Sequence, residues 1–276
     1  MLGAILGDIV GSRFEFDNYR KKDFNLFSKD CFFTDDTVMT CAVAQAIMTT
    51  EKRHLSHDEK SYQILSEETI KAMQSLGNKY PDRGYGSCFK QWLKSDFPRP
   101  YHSFGNGSAM RVSPVGDFAD SEAELKKLSL AVTAITHDHP EGLKGAQGTA
   151  LAIFLARNAS CQKQLRNHLV TYYDLDFTLA EIRADTVFND SCQESVPQAI
   201  VAFLAADSFT DTLRNAVSIG GDSDTLAAIA GSIAESFFGI PPLLKRQVFN
   251  YLTDELAEIV VTWEKFLEKK RKDDQK

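Results

Sequence analysis

TVMTCAVAQAIMTT, residues Thr37–Thr50, is apolar on nearly every side of the helix that its composition favours. A helix with that property is buried inside a protein and does not lie on its surface. TLAAIAGSIAESFF, residues Thr225–Phe238, has the same character, and its small residues allow close packing against a neighbouring helix. These two segments predict a core that is built from helices.

Helix start and stop signals recur outside these two segments. Gly239 is expected to end the second apolar helix, and Pro241 and Pro242 to start another one, over Leu243–Leu267. Three Ser/Thr-x-x-Glu capping boxes each open a stretch with helical spacing, at Ser56–Glu59, Ser121–Glu124 and Thr178–Glu181.

Strand signals are poor, and only Phe24–Phe33 is compatible with a short hairpin. The sequence has no tandem repeat and no Gly/Ser linker, so we expect one domain over residues 1–276. The predicted fold is all-α, a compact orthogonal multi-helix bundle. Loops rich in Gly, Pro and Asn are typical carriers of a functional site in such a scaffold, and they are predicted at Tyr80–Gly86, Phe97–Gly116 and Thr136–Gly142.

Composition and charge exclude several classes of protein. The 276 residues include 31 basic and 38 acidic ones, a net charge of −7. Lys and Arg cluster only in the tail Lys269–Lys272, which is more typical of a solvated helix end than of a duplex-binding surface. The five cysteines form no metal-binding pattern and are expected to be reduced, as in a cytoplasmic protein. Asp8 interrupts the apolar N-terminal run, which argues against a secretory signal, and no stretch is long enough to span a membrane. We expect a monomer.

Two acidic clusters directly precede the apolar helices. The first is Thr34-Asp35-Asp36-Thr37, and the second is Gly220-Gly221-Asp222-Ser223-Asp224-Thr225. Each cluster has two carboxylates where a helix cap needs one side chain. Four carboxylates and several hydroxyls form an all-oxygen ligand set, which suits Mg²⁺ or Mn²⁺. The spacing leaves two interpretations open, a divalent metal site or two simple helix caps.

Two further segments are candidates for ligand binding. Phe104-Gly105-Asn106-Gly107-Ser108-Ala109-Met110-Arg111 places small residues around an asparagine, so that backbone amides can reach an anion. A tight turn is the alternative for this segment. Thr136-His137-Asp138-His139 suggests a loop with one ligand-contacting histidine, or with a histidine that is merely structural.

Taken together, these segments resemble the ADP-ribosylglycohydrolase family. Gly3-Ala4-Ile5-Leu6-Gly7-Asp8, with Gly11 and Glu15, is similar to the opening helix and glutamate loop of that family. The two acidic clusters, the segment Gly105–Arg111 and Thr136-His137 resemble its other motifs and follow the same order. The match covers nearly the whole chain. Five motifs in order are far more specific than any one of them.

The resemblance implies an all-α domain around a central pair of Mg²⁺ or Mn²⁺ ions. The implied metal ligands all offer a carboxylate or hydroxyl oxygen. They are Thr34, Asp35, Asp36, Asp222, Asp224 and Thr225. The implied substrate-binding residues are Gly105, Asn106, Gly107, Ser108, Ala109 and Met110 around the diphosphate and ribose, with His137 beside the nucleotide. Glu15, Asp36 and Asp82 are the candidate catalytic residues. Asp82 is assigned from a loop whose length varies within the family.

The implied activity is hydrolysis of the C1″ glycosidic bond between ADP-ribose and an acceptor. The acceptor is an arginine- or serine-linked protein or a small-molecule ADP-ribosyl conjugate. Two alternatives stay open, an ADP-ribose-binding relative without turnover and a dinuclear phosphohydrolase. The phosphohydrolase is disfavoured because such sites usually recruit histidines or a basic phosphate clamp, and only Arg111 is obvious in this sequence.

Overall fold

The computed structural model describes residues 1–52, 58–185 and 188–273, and the regular structure in these ranges is helical. Two short 3₁₀ helices occupy Ser12–Phe14 and Val248–Tyr251. The α-helices of the first half are α1 (Leu2–Gly11), α2 (Asp35–Glu51), α3 (Glu59–Lys79), α4 (Ser87–Leu93), α5 (Gly107–Met110), α6 (Ser113–Phe118) and α7 (Glu122–Thr133). Those of the second half are α8 (Pro140–Ala156), α9 (Gln162–Leu169), α10 (Leu179–Asp185), α11 (Cys192–Leu204), α12 (Phe209–Val217), α13 (Ser223–Phe238), α14 (Pro242–Gln247) and α15 (Asp254–Asp273). The all-α prediction is confirmed.

An antiparallel pair, α1 and α13, lies at the centre of the fold. Every residue of α1 is buried, and its glycines recur at every fourth position, which aligns them on one side of the helix. A Cβ atom at Gly7 would lie 2.0 Å from the carbonyl oxygen of Ala227, so a side chain does not fit there. Gly3 contacts Gly231 and Gly11 contacts Asp224 in the same way. The start of α13 is therefore held beside the end of α1.

Both apolar segments form the predicted buried helices, and each helix starts before its apolar stretch. Helix α2 begins at Asp35, with Thr34 as the N-cap residue, and α13 begins at Ser223 after Asp222. Gly239 ends α13 with a φ of 72°, a conformation that favours glycine. The aspartates of both clusters thus belong to the first turn of a buried helix or directly precede it.

Two of the three capping boxes are present in the structure. Ser121 accepts a hydrogen bond from the amide of Glu124 at 3.2 Å, and Thr178 and Glu181 bond reciprocally ahead of α10. Ser56, of the third box, lies outside the described residues. Asp58 is the N-cap residue of α3 instead, and its carboxylate accepts from the amide of Ser61 at 2.9 Å.

Two expectations about regular structure were wrong. The segment Phe24–Phe33 contains no strand, because its contacts are made with distant side chains, such as the stacking of Phe27 on Tyr251 at 5.2 Å. The helix expected over Leu243–Leu267 is divided into α14, a 3₁₀ turn and α15. Leu252 is extended at the break, and the hydroxyl of Thr253 accepts from the amide of Leu256 at 3.4 Å, as at a helix start.

The predicted loops are partly helical. Tyr80–Gly86 joins α3 to α4 without helix, as expected. Phe97–Gly116 contains α5 and the start of α6, and Thr136–Gly142 contains the start of α8 at Pro140, so these two predictions were wrong in part. The buried apolar side chains of the described residues form one connected cluster. Among those residues, no helix combines the length and the apolar character that crossing a bilayer requires.

Candidate metal centre and nucleotide cleft

The two acidic clusters meet, although about 190 residues separate them in the sequence. The hydroxyl of Thr225 donates a hydrogen bond to the Oδ2 atom of Asp36 at 3.2 Å, and both residues are buried. Asp36 is in the first turn of α2 and Thr225 in the first turn of α13. Two helix N-termini, each with its partial positive charge, therefore converge on one group of carboxylates.

Asp8, on α1, fixes the start of α2 in this position. It is completely buried, and its carboxylate accepts hydrogen bonds from the amide and hydroxyl groups of both Thr34 and Thr37. Burial raises the pKa of Asp8 to about 6, although these hydrogen bonds lower it. Asp8 was not among the predicted site residues. A single carboxylate within a wholly apolar helix was the signal that could have found it.

Glu15 joins the second acidic cluster. One carboxylate oxygen from each of Glu15, Asp222 and Asp224 lies within 4.8 Å of the other two. Glu15 follows the 3₁₀ turn after α1 and is partly exposed, whereas both aspartates are buried. Asn106 donates to Asp222 Oδ2 at 2.7 Å, which connects this cluster to the glycine-rich segment.

A turn with two left-handed glycines presents the second cluster. Gly220 and Gly221 have φ values of 80° and 68°. The Oδ1 atom of Asn18 accepts from the amide of Gly221 at 3.2 Å, and a Cβ atom at Gly220 would lie 2.4 Å from it. The turn thus depends on glycine both for its conformation and for its packing.

The carboxylates of the two clusters have no cationic partner among the side chains that the structure describes. In the described residues, no Lys, Arg or His side chain lies within 4.0 Å of them. Burial, and then the neighbouring carboxylates, raise the pKa values of Asp35, Asp36 and Asp224 well above the ordinary range. Burial, Asp222 and Asp8 likewise raise the pKa of Glu15 to about 7.

These residues fit hard divalent cations. The Oδ1 atom of Asp36 is buried and has no hydrogen-bond partner in the described part of the chain, so it is free to bind a ligand. All donor atoms of the cluster are oxygens, as Mg²⁺ and Mn²⁺ prefer. A cation would also remove the repulsion that raises the pKa values of these groups.

A cleft of about 550 Å³ opens above the carboxylates. Glu15, Asp36 and Asp224 line one part of it, and the glycine-rich segment with His137 lines another. A volume of this size is typical of small-molecule sites. Predicted site residues at its wall are Glu15, Thr34, Asp35, Asp36, Gly105, Asn106, Gly107, Met110, His137, Asp222, Asp224 and Thr225.

The glycine-rich segment forms the short helix α5. The amides of Gly107 and Ser108 start this helix and donate to no acceptor among the described residues. Ser108 and Ala109 are buried behind the wall of the cleft. The hydroxyl of Ser108 holds the segment to α8 by donating to the carbonyl of Gly142 at 2.8 Å. Of its six predicted substrate-binding residues, Gly105–Met110, the structure brings four to the cleft, namely Gly105, Asn106, Gly107 and Met110.

His137 and Arg111 are adjacent at this part of the cleft. The hydroxyl of Thr136 lies 2.8 Å from His137 Nδ1, and it accepts from Arg111 Nη2 at 2.6 Å. Burial and the charge of Arg111 lower the pKa of His137 well below the usual range, so the imidazole is neutral. Arg111 is itself buried, and burial lowers its pKa to about 10. It therefore remains a cation at neutral pH.

Asp82 is a predicted catalytic residue that the structure does not bring to the cleft. Its side chain is exposed on the loop between α3 and α4 and is not part of the cleft wall. The loop does contribute through its backbone, because the carbonyl of Arg83 accepts from the amide of Asp35 at 2.7 Å. This geometry gives no support to Asp82 as the catalytic acid.

Comparisons with known proteins agree with this arrangement. The model of the ADP-ribosylglycohydrolase family matches residues 1–275. The ADP-ribosylhydrolase ARH3 of Homo sapiens is 27% identical, over 87% of this chain and 84% of its own length. The ADP-ribosyl-[dinitrogen reductase] glycohydrolase of Rhodospirillum rubrum is 29% identical over 49% of this chain and 47% of its own. A solved structure described as an ADP-ribosylglycohydrolase-related protein complex shares the fold, with a TM-score of 0.66 at 19% identity over 95% of this chain and 94% of that one.

Proposed function

The chain belongs to the ADP-ribosylglycohydrolase family, and on that premise we propose that it hydrolyses the bond between ADP-ribose and an acceptor. The bond is the glycosidic one at C1″ of the terminal ribose. The acceptor is an arginine or serine of a protein, or a small-molecule conjugate. Relatives named ADP-ribosylhydrolase and ADP-ribosyl-[dinitrogen reductase] glycohydrolase support this activity.

The main support for the proposal is that the two acidic clusters lie together under one cleft. The bond between Thr225 and Asp36, at 3.2 Å, joins the starts of α2 and α13. Two simple caps would each satisfy their own helix and would not place three buried aspartates and the partly exposed Asp35 together. The interpretation of the clusters as independent caps therefore explains less of the structure.

Two divalent cations, Mg²⁺ or Mn²⁺, belong to the proposal. The residues that would hold them are Thr34, Asp35, Asp36, Asp222, Asp224 and Thr225. When bound, such cations would orient the ribose hydroxyls and stabilise the negative charge that develops during the reaction.

At the scissile bond, Glu15 is the proposed proton-transferring residue. Its carboxylate lies beside Asp222 and Asp224 at the wall of the cleft and, unlike them, is partly exposed. Departure of the acceptor builds oxocarbenium character at C1″ and requires a proton on the leaving oxygen or nitrogen. Glu15 can deliver that proton and then take one from the attacking water.

The other part of the cleft is proposed to hold the diphosphate and the nucleoside. The free amide of Gly107, which lines the cleft, can donate to a phosphate oxygen. Arg111 supplies positive charge there, and its buried Nε atom has no partner among the described residues. Carboxylates at one part of the cleft and a cation at the other orient an anionic substrate along it.

The test is product analysis with two defined substrates. Peptides that carry ADP-ribose on arginine or on serine are incubated with the protein at millimolar Mg²⁺ or Mn²⁺, and after chelation. Release of intact ADP-ribose, with ¹⁸O from labelled water at C1″, is expected only with metal. Asp36→Asn should remove the activity, and Asp30→Asn, an exposed aspartate in the preceding segment, should not.

Other products would replace the proposal. Release of AMP would identify a phosphohydrolase. Binding of ADP-ribose without release from either peptide would identify a relative that binds without turnover. Action as a monomer, in the cytoplasm, is also part of the proposal, and gel filtration and cell fractionation would test it.

A further inference from the structure

A second groove, of about 670 Å³, adjoins the cleft. Phe188 lines both cavities, and the next residues divide them, since Asn189 lines the groove and Asp190 the cleft. The groove lies beside α10 and the start of α11. Its wall includes Tyr173, Asp174, Phe177, Glu181, Phe188 and Glu194.

An exposed aromatic pair marks the junction of the two cavities. Phe16 is 87% exposed and Phe188 is 50% exposed, and their rings stack at 6.5 Å between centroids with an interplanar angle of 16°. Phe16 directly follows Glu15. Two large apolar rings in water stabilise the fold little, because most of their surface remains hydrated. Exposed aromatic rings beside an active site are typical of contact with a ligand.

The groove has acidic groups and no basic ones. Asp174, Glu181 and Glu194 contribute carboxylates, and no Lys, Arg or His is found among the described residues of its wall. Lys144 lies near, 4.7 Å from the centre of the Tyr173 ring, but its ammonium group pairs with Glu141 at 3.8 Å. An apolar floor with an acidic rim favours a ligand that is both apolar and cationic.

We infer that this groove binds the acceptor polypeptide, as a segment with basic residues beside the modified side chain. The inference rests on the proposed function, which places the scissile bond at Glu15. A chain that leaves the cleft past Phe16 and Phe188 enters the groove directly. The nucleotide part of the substrate is anionic, so the acidic rim disfavours it and the acceptor remains the matching part.

The experiment compares three substrates with the same linkage. They are a small ADP-ribosyl conjugate, a modified peptide flanked by lysines and arginines, and the same peptide flanked by glutamates. The measured quantity is kcat/KM for each peptide divided by the value for the small conjugate. For the wild-type protein, we expect the basic peptide to have the highest ratio.

Glu194→Lys tests the charge of the rim, with Glu122→Lys as its matched control. Both glutamates are exposed in the first turn of a helix, and Glu122 is remote from the groove wall. Glu194→Lys should lower the ratio for the basic peptide about threefold to tenfold, since exposed ion pairs contribute modestly. Adding Asp174→Lys should lower it further, whereas Glu122→Lys should leave it unchanged.

Phe16→Ala tests the aromatic pair, with Phe97→Ala as its control. Phe97 is 84% exposed and lines neither cavity, and unlike Phe16 it is not stacked on Phe188, which lines both. Phe16→Ala should lower the ratio for both peptides, and Phe97→Ala for neither. Melting temperatures confirm that each variant folds.

The results distinguish a basic acceptor peptide from other ligands of the groove. Equal ratios for the two peptides, unchanged by Glu194→Lys, would overturn the inference while turnover of the small conjugate upholds the proposed function. An effect of Glu194→Lys on chains of ADP-ribose alone, or on dimer formation, would also overturn it. If no conjugate is hydrolysed, the proposed function fails, and anisotropy of the labelled basic peptide still tests the groove. Peptide binding that Glu194→Lys weakens would then support the groove as the peptide site. Absence of peptide binding would overturn the inference.

Discussion

The two ends of the α1–α13 pair differ in how their buried carboxylates are neutralised. At one end, the amino group of Met1 lies 2.5 Å from Asp117 Oδ2 and 2.8 Å from Glu235 Oε2. At the other end, the acidic clusters surround no cationic side chain of the described residues. Clefts of similar volume open at the two ends, about 600 and 550 Å³.

Charge, and not cavity size, therefore distinguishes the candidate site from the other cleft. Burial alone would lower the pKa of the Met1 amino group, but the carboxylates of Asp117 and Glu235 outweigh it and raise that pKa to about 10. The ion pair is therefore complete within the chain. At the acidic end, burial and the repulsion between carboxylates both raise the pKa values of the aspartates. Positive charge from a ligand would therefore stabilise this end.

The largest expected effect is from Asp36→Asn or Asp222→Asn. Each replaces a proposed charged ligand with a neutral amide, so metal binding and turnover should be lost together. The loss should exceed the roughly 10- to 100-fold effect of removing a group that only supports a ligand. Isothermal calorimetry with Mn²⁺ and single-turnover hydrolysis measure the two quantities.

Asp117→Asn is the matched change at the opposite end of the helix pair. It removes one carboxylate from the ion pair with Met1, and we expect it to lower stability while folded protein keeps its turnover. Equal loss of turnover from Asp117→Asn and Asp36→Asn would contradict the distinction between the two ends.

Glu15→Gln is expected to separate catalysis from binding. The variant should still bind metal and ADP-ribose, and its turnover should fall about 10²- to 10⁴-fold, the range for a positioned acid or base. Calorimetry and single-turnover hydrolysis test this directly. Full activity of Glu15→Gln would rule the residue out, and a larger loss from Asp82→Asn would restore that exposed loop residue as a candidate.

We expect the protein to be less stable after chelation than with metal bound, because the carboxylates of the acidic end then repel each other. Mg²⁺ or Mn²⁺ at 100 times its Kd stabilises a protein by about 2.7 kcal/mol, so the melting temperature should rise by several degrees. The Asp36→Asn and Asp224→Asn variants should show a smaller rise. No shift for the wild-type protein at millimolar metal would count against the site.

The last expected effect is the pH dependence of stability at the ammonium end. The pKa of the Met1 amino group is raised from 8.0 to about 10 on folding, so its stabilisation is present below about pH 8 and is lost as the pH rises towards 10. The two pKa units correspond to at most roughly 3 kcal/mol. Denaturant unfolding between pH 7 and pH 10 measures it, and Glu235→Gln should flatten the profile. An equally steep profile in that variant would assign the pH dependence to other groups.

The sequence alone determined the helical fold and the location of the acidic clusters. Apolar residues around a whole helix, and two aspartates where a cap needs one side chain, are local patterns, so α2 and α13 were predicted with starts within two residues of the structure. Capping boxes are local too, which explains why Thr178–Glu181 was recognised. The break inside Leu243–Leu267 was missed because helical spacing continues across Leu252, and Thr253 caps α15 without a glutamate three residues later.

The way in which these parts meet depends on contacts between residues far apart in the sequence. Asp8 reaches Thr34 across 26 residues, and Asn106 reaches Asp222 across 116, so no local pattern records either bond. Glu15 belongs to the carboxylate cluster, and Asp82 does not, because the packing of α1 on α13 places the first beside Asp224 and leaves the second on an exposed loop. That packing depends on backbone contact at Gly7 and Gly11. Periodicity can indicate such small residues, but the partner that fills the space beside them is set by the folding of the whole chain.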